Sequence, residues 1–348
     1  MSATTNVLIT GATGYVGGAV LELLLEHPTA SSSQFTALVR SPEKAQKLEA
    51  IGVHAVVGSL SELSKLEQLA SESAVIFACH CFFGFNRIFQ ADSDDESVTK
   101  AILAGLKKRY ESTGQAPILI HTSGTGVLTD KAAGMYAYDT IYDDTDVEQL
   151  ETLADTQLHR NVDLLIIEAD KQGYARTHIV LPSTIYARAT GRFVQLGIQN
   201  PKSMQIPCLI RSSLKRGQGG MIGDGQNQWA NVHIDDIASL YIVLYEAILA
   251  NEAGHGREGL YFGENGEHLL YDVGKAVAEA LYDLGKGRSP EPTTVTEEKL
   301  KADLFAVYLG SNSRCRASRA RALGWEPKYT TKDLLASIKP EVEAMLKE

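Results

Sequence analysis

Apolar residues along this chain come in two rhythms. The run Val7 to Thr10 in "NVLIT" is short and β-rich, and beyond Gly17 apolar residues recur at Val20, Leu23 and Leu24, as on a helix face. "SQFTALVRSPEKAQKLEAIGVHAVVGSLSE" then reads as strand, helix, strand. "SAVIFACHC" supplies a fourth strand, "VTKAILAGLKKRY" a helix, "PILIHTSGTGVL" a fifth strand ending in Ser123, and "THIVLPSTIYA" a sixth. Strands alternating with helices at this spacing predict an α/β fold with a parallel, doubly wound sheet. Such sheets bind ligands outside the carboxyl ends of their strands. Gly14, Arg40, His80 and Ser123 all fall at or just past such ends.

Gly11, Gly14 and Gly17 form a G-x-x-G-x-x-G string between the first strand and the first helix. Glycine there lets the backbone approach a pyrophosphate at the helix N-terminus. NAD-selective folds usually place Asp or Glu about 20 residues further on. Here the second strand ends in Val39 and Arg40, with Ser41 following and Lys44 nearby. A guanidinium suits a ribose 2′-phosphate, so NADP is expected rather than NAD.

Composition narrows the class. The 348 residues are 44% hydrophobic and 22% charged, the profile of an ordinary globular protein. Acidic residues outnumber basic ones 43 to 33, and no Lys/Arg block stands out, which argues against nucleic acid or an anionic membrane as partner. The N-terminus shows no secretory pattern and no apolar run approaches a membrane span, so a cytoplasmic location is expected. Cys79, His80 and Cys81 are spaced wrongly for structural zinc, and no metal is expected.

The motifs "TGATGYVGG", Ser123 in "HTSGTG", "LPSTIYA", "GDGQNQWANVHIDDIASLY" and "SRARALGWEP" occur in the order found in extended short-chain dehydrogenases/reductases, the epimerase/dehydratase-like group, which this chain resembles over nearly its whole length. The resemblance implies a Rossmann-type domain at 1–184, with 231–263 returning to it. A smaller substrate-binding region would comprise 185–230 and 264–348. It places cofactor contacts on Gly11, Thr13, Gly14, Tyr15, Val16, Gly17, Arg40, Ser59, Leu60, His80, Ser123, Pro182 and Ile185. The implied partner is a small-molecule substrate, and a homodimer is the candidate assembly.

One family feature is missing. Ser123 fits the family's strand-end hydroxyl, but the helix ahead of the sixth strand carries no Tyr-x-x-x-Lys. In that window His159 and Asp163 have the matching spacing, which on a helix puts both on one face. Asp163 would favour the imidazolium, making His159 a general acid. Tyr138 and Tyr142, in a loop that the family places near the substrate mouth, are the alternative donors, and Asp143, Asp144 and Asp146 read as a helix-starting acidic cluster. The Y-x-x-x-K strings at Tyr271–Lys275 and Tyr282–Lys286 lie beyond the sixth strand and are expected to be coincidental. Three functions stay open: an NADP-dependent reductase of a small carbonyl or alkene, an NmrA-like NADP-sensing regulator, and a cofactor-retaining isomerase or cyclase.

Overall fold

The computed structural model describes residues 4–79, 95–296 and 308–347. Chain order in the first half is β1 (Thr5–Thr10), α1 (Tyr15–Glu26), β2 (Ser33–Val39), α2 (Pro42–Glu49), β3 (His54–Val57), α3 (Leu63–Ser71), β4 (Val75–Ala78), α4 (Glu96–Thr113) and β5 (Ile118–Thr122). There follow β6 (Tyr142–Asp143), α5 (Val147–Glu151), α6 (Arg160–Lys171), β7 (Arg176–Pro182) and β8 (Thr184–Tyr186). The second half runs α7 (Arg192–Gln195), α8 (Gln205–Arg216), β9 (Gly220–Met221), β10 (Gln228–His233), α9 (Ile234–Leu249), β11 (Leu260–Gly263), β12 (Glu267–Leu269) and α10 (Leu270–Asp283). It closes with β13 (Thr293–Thr294), β14 (Cys315–Arg316), α11 (Ser318–Ala322) and α12 (Thr331–Leu346).

Seven strands form one parallel sheet in the order β11-β7-β5-β4-β1-β2-β3, the doubly wound arrangement the alternating pattern predicts. Its strands are apolar because both faces are covered: Val7, Leu8 and Ile9 of β1 and the whole of β4 are buried. The expected sixth strand breaks in two. β7 ends at Pro182, whose ring leaves no N–H for a further ladder bond, and the chain crosses to a three-stranded sheet of order β12-β10-β8.

A second apolar cluster gathers α8, α10 and α12 around Ile206, Leu209, Ile210, Val273, Val277, Leu281, Leu334 and Ile338. Buried carboxylates tie the C-terminal stretch back to the sheet. Both oxygens of Asp236 accept backbone N–H groups, from Lys328 and Tyr329, each at 2.9 Å. Glu264, just past β11, accepts from Ala317 N (3.1 Å) and pairs with Arg321 (2.8 Å). Fully buried Asp144 does the same work for Arg319 N (2.7 Å) and Phe262 N (3.0 Å). That corrects part of the acidic-cluster expectation: Asp146 does cap α5, but Asp144 is a staple between β11 and α11.

Candidate active site

The glycine string forms a tight turn, with Gly14 N donating to Gly11 O at 2.7 Å and Gly11 at φ +72°. A methyl group on Gly17 would collide with the Gly11 backbone and sit 3.0 Å from Cys79 Cβ, so only glycine lets α1 start this close to β1. The first turn of α1 has neither a capping side chain nor an acidic residue, which leaves its N–H groups and dipole for an anion. Thr13 and Val16 flank this turn. Tyr15 uses its hydroxyl elsewhere, donating to the carbonyls of Tyr186 (2.9 Å) and Ala187 (2.6 Å), so only its main chain can meet a phosphate. Ala187 closes the "LPSTIYA" motif where the family has glycine, and it adopts φ +70°. The turn fits a pyrophosphate-bearing cofactor.

Arg40 is exposed at the end of β2, and Ser41 caps α2 by accepting Lys44 N at 3.3 Å. The Lys44 ammonium is held below its usual range by burial first and then by Lys47 and Arg40, with Glu43 opposing. Arg40 and Lys44 thus set positive charge at the β2 end, a setting an anion would suit. Ser59 and Leu60 follow β3. The Ser59 hydroxyl accepts from Ser61 N (3.3 Å), and Ser59 N donates to Glu62 (2.7 Å). Pro182 ends β7 and Ile185 lies in β8. His80 lies outside the described residues.

Strand β5 ends at Thr122, and Ser123 follows it, buried, with its backbone N–H still bonded to Val180 O (2.8 Å). Its hydroxyl donates to Oδ2 of Asp163, which is fully buried, at 3.1 Å. His159 sits at the N-cap of α6 with φ +71°, a left-handed conformation that costs a non-glycine residue on the order of 1–3 kcal/mol. Helical geometry therefore begins only at Arg160, and the same-face argument from i, i+4 spacing does not place the imidazole. It lies over the loop after β5 instead: a methyl on Gly124 would come 3.3 Å from His159 Nε2. Sequence reasoning paired Asp163 with His159 and gave it no bond to Ser123.

The loop tyrosines fall differently. Tyr138 is exposed, and its carbonyl accepts from Arg314 at 2.7 Å. Tyr142 lies half-buried in β6, opposite Cys315, with its phenol pKa raised first by burial and then by Tyr138. Another tyrosine, Tyr308, brings its hydroxyl to Gly126, the glycine that His159 Nε2 also approaches; lying far along the chain, it carried no motif to reveal it. Trp229 is buried edge-on to the Tyr308 ring, at 5.0 Å between centroids. His233 caps α9 through Asp235 N (3.1 Å) and stacks on Tyr329.

Tyr271 and Lys275 lie on α10, where both side chains bond Glu291. Tyr271→Phe and Lys275→Met should each leave turnover within a factor of three and stability within about 1 kcal/mol. A hundredfold loss in steady-state assays, with the fold intact by circular dichroism, would move the active site there.

Residues 11–146 match a family described as NAD(P)H-binding. Solved structures include the UDP-glucose 4-epimerase of Thermotoga maritima with UDP-glucose, at 15% identity and TM-score 0.63, covering 99% of each chain. Residues 11–146 thus resemble an NAD(P)H-binding domain, and the chain shares its overall fold with this epimerase. Among curated proteins it is 26% identical to an oxidase, ucsJ, of an Acremonium species, over 98% of this chain and 99% of that protein. It is also 28% identical to 4-hydroxy-2-methyl-3-oxo-4-farnesyl-3,4-dihydroquinoline-1-oxide ketoreductase of Stigmatella aurantiaca, over 36% and 35%. No helix among the described residues is long and apolar enough to cross a membrane.

Proposed function

We propose that the protein is an NADP-dependent oxidoreductase that reduces a small organic carbonyl or alkene, using an acid/base group other than the family's Tyr/Lys pair. The observation that carries this reading is the bond from Ser123 to fully buried Asp163, at the carboxyl end of β5 and beside His159. A buried carboxylate is costly, and a site that needs one explains its presence. The names of the ketoreductase and oxidase relatives support the same chemistry.

The α1 turn would hold the cofactor pyrophosphate, and Arg40 with Lys44 the ribose 2′-phosphate. Bound NADPH supplies the hydride. Asp163 fixes the Ser123 hydroxyl, so Ser123 Oγ orients the substrate oxygen, and His159 is the source of the proton. Residues 185–230 and 264–348 would supply the substrate region, and 1–184 with 231–263 the Rossmann domain.

Two measurements test this reading. NADPH consumption should appear with some member of a panel of ketones, enones and aldehydes. Tight NADPH binding with no turnover of any of them would favour the regulator instead. Cofactor choice is tested by calorimetry. The wild type should bind NADPH more tightly than NADH, and Arg40→Asp should erase about tenfold to a hundredfold of that preference, the value of one charge-assisted phosphate contact turned to repulsion. Equal wild-type affinities would end the NADP assignment.

A further inference from the structure

Beyond Ser123 the chain makes a single turn of 3₁₀ helix, Thr125–Leu128, and Gly126 lies within it. A methyl group on Gly126 would sit 2.5 Å from the Tyr308 hydroxyl oxygen, 3.2 Å from His159 Nε2 and 3.0 Å from Leu158 Cδ2. The phenol of Tyr308 and the imidazole of His159 therefore converge on one glycine, three residues past Ser123. Any side chain there would drive them apart.

Tyr308 is held by more than its own packing. Its carbonyl accepts from Ser311 N (3.1 Å) and Ser311 Oγ (2.7 Å). Asn227 Nδ2 donates to Leu309 O (2.8 Å) and Ser311 O (2.7 Å), and Trp229 Nε1 donates to Ser311 O (2.6 Å). Ser313 Oγ reaches back to Thr125 O at 2.7 Å, in the same turn as Gly126. Strand β10 and the loop after β5 thus fix the position of one side chain from the C-terminal stretch. Hydrogen bonds of this kind around a reacting group hold it to its productive geometry.

We infer that Tyr308 is a catalytic residue, a phenol from the C-terminal stretch that delivers the proton at this site with His159 behind it. The inference rests on the oxidoreductase reading. As hydride adds to the carbonyl carbon and the π pair moves onto oxygen, Tyr308 gives that oxygen its hydroxyl proton. The phenolate takes a proton from the His159 imidazolium, which solvent recharges. Among the described residues, the titratable group that shares the Gly126 site with His159 is Tyr308. A phenol reaches further than an imidazole, which explains how a buried histidine serves a substrate it need not touch.

Tyr308→Phe keeps the ring against Trp229, so the fold should survive. With a carbonyl substrate the variant should lose a hundredfold or more in kcat, with KM and NADPH affinity within threefold of wild type. In the cofactor-free protein, the NMR titration midpoint of His159, assigned with His159→Gln, should fall in Tyr308→Phe. The charged imidazolium loses a hydroxyl acceptor, and bonds to charged groups are the stronger ones. Turnover by the variant within threefold of wild type, or an unmoved His159 midpoint, would overturn the inference while the oxidoreductase reading stood. If the wild type itself turns over no carbonyl or alkene, that reading falls and the catalytic role of Tyr308 falls with it.

Discussion

Ser123→Ala and Asp163→Asn should each lower kcat by about a hundredfold, at the lower end of what a positioned proton-handling group contributes. Both side chains are buried, and one hydrogen bond joins them at 3.1 Å. An ionised carboxylate only accepts, so Ser123 must donate to it and turn its lone pairs elsewhere. Asparagine matches the shape of Asp163 but holds the hydroxyl with a neutral amide, a weaker partner than a charge. Asp163→Asn should also leave melting temperature unchanged or higher, because a buried charge is removed from a site built for chemistry rather than stability. If the two residues act as one unit, the double variant will be no slower than the worse single one. Losses that multiply would mean separate roles. A loss confined to NADPH affinity would mean that Ser123 holds the cofactor and not the substrate.

What could be read from the chain followed the range of the interaction. The sheet was legible because burial on both faces writes continuous apolar runs, and the glycine turn because a close backbone approach allows no other residue at Gly17. Arg40 was legible as the residue ending β2. The break after Pro182 was not, since "LPSTIYA" is as β-prone after the proline as before it, and only the two sheets separate the halves. His159 was found by spacing, but its left-handed backbone defeated the helical geometry inferred for it. Asp144 looked like a helix cap because it precedes a helix. Its real partners, Phe262 and Arg319, lie far along the chain, and no local period encodes such a contact. Tyr308 belongs with these, its neighbours Leu309 and Ser311 held by bonds from Asn227 and Trp229 that no motif announces.

Acid should destabilise the protein well before its surface carboxylates are protonated. His178 is fully buried on β7 and donates from Nδ1 to Gly254 O at 2.9 Å, while its Nε2 has no partner among the described residues. Protonating Nε2 would bury a charged N–H without an acceptor, and desolvation pushes the pKa down to about 3. His268 is likewise pushed down to about 4 by burial, with Asn231 Nδ2 donating toward its Nδ1 at 3.4 Å. Depressed folded-state values mean that both histidines cost nothing above their ordinary 6.5. Below it the unfolded chain takes up two protons that the native state refuses. Asp144 acts in the opposite sense: burial raises it to about 7, so its native form binds a proton that the unfolded chain, at 3.8, does not. Between pH 6.5 and 4.5 the balance of these three groups approaches one proton towards the lower value, or about 1.4 kcal/mol per pH unit there, and the lowered His233 adds to it in the same sense. Urea denaturation over that window should therefore lose on the order of 2 kcal/mol, a measurable share of a typical stability. His178→Asn keeps a donor toward Gly254 and should flatten the slope to near zero. Asp144→Asn removes the offset and should roughly double it. These are comparisons of slope, so a change in overall stability from either substitution does not blur them. A flat wild-type profile, or an undiminished slope in His178→Asn, would show that the two buried rings do not both stay neutral as acid rises.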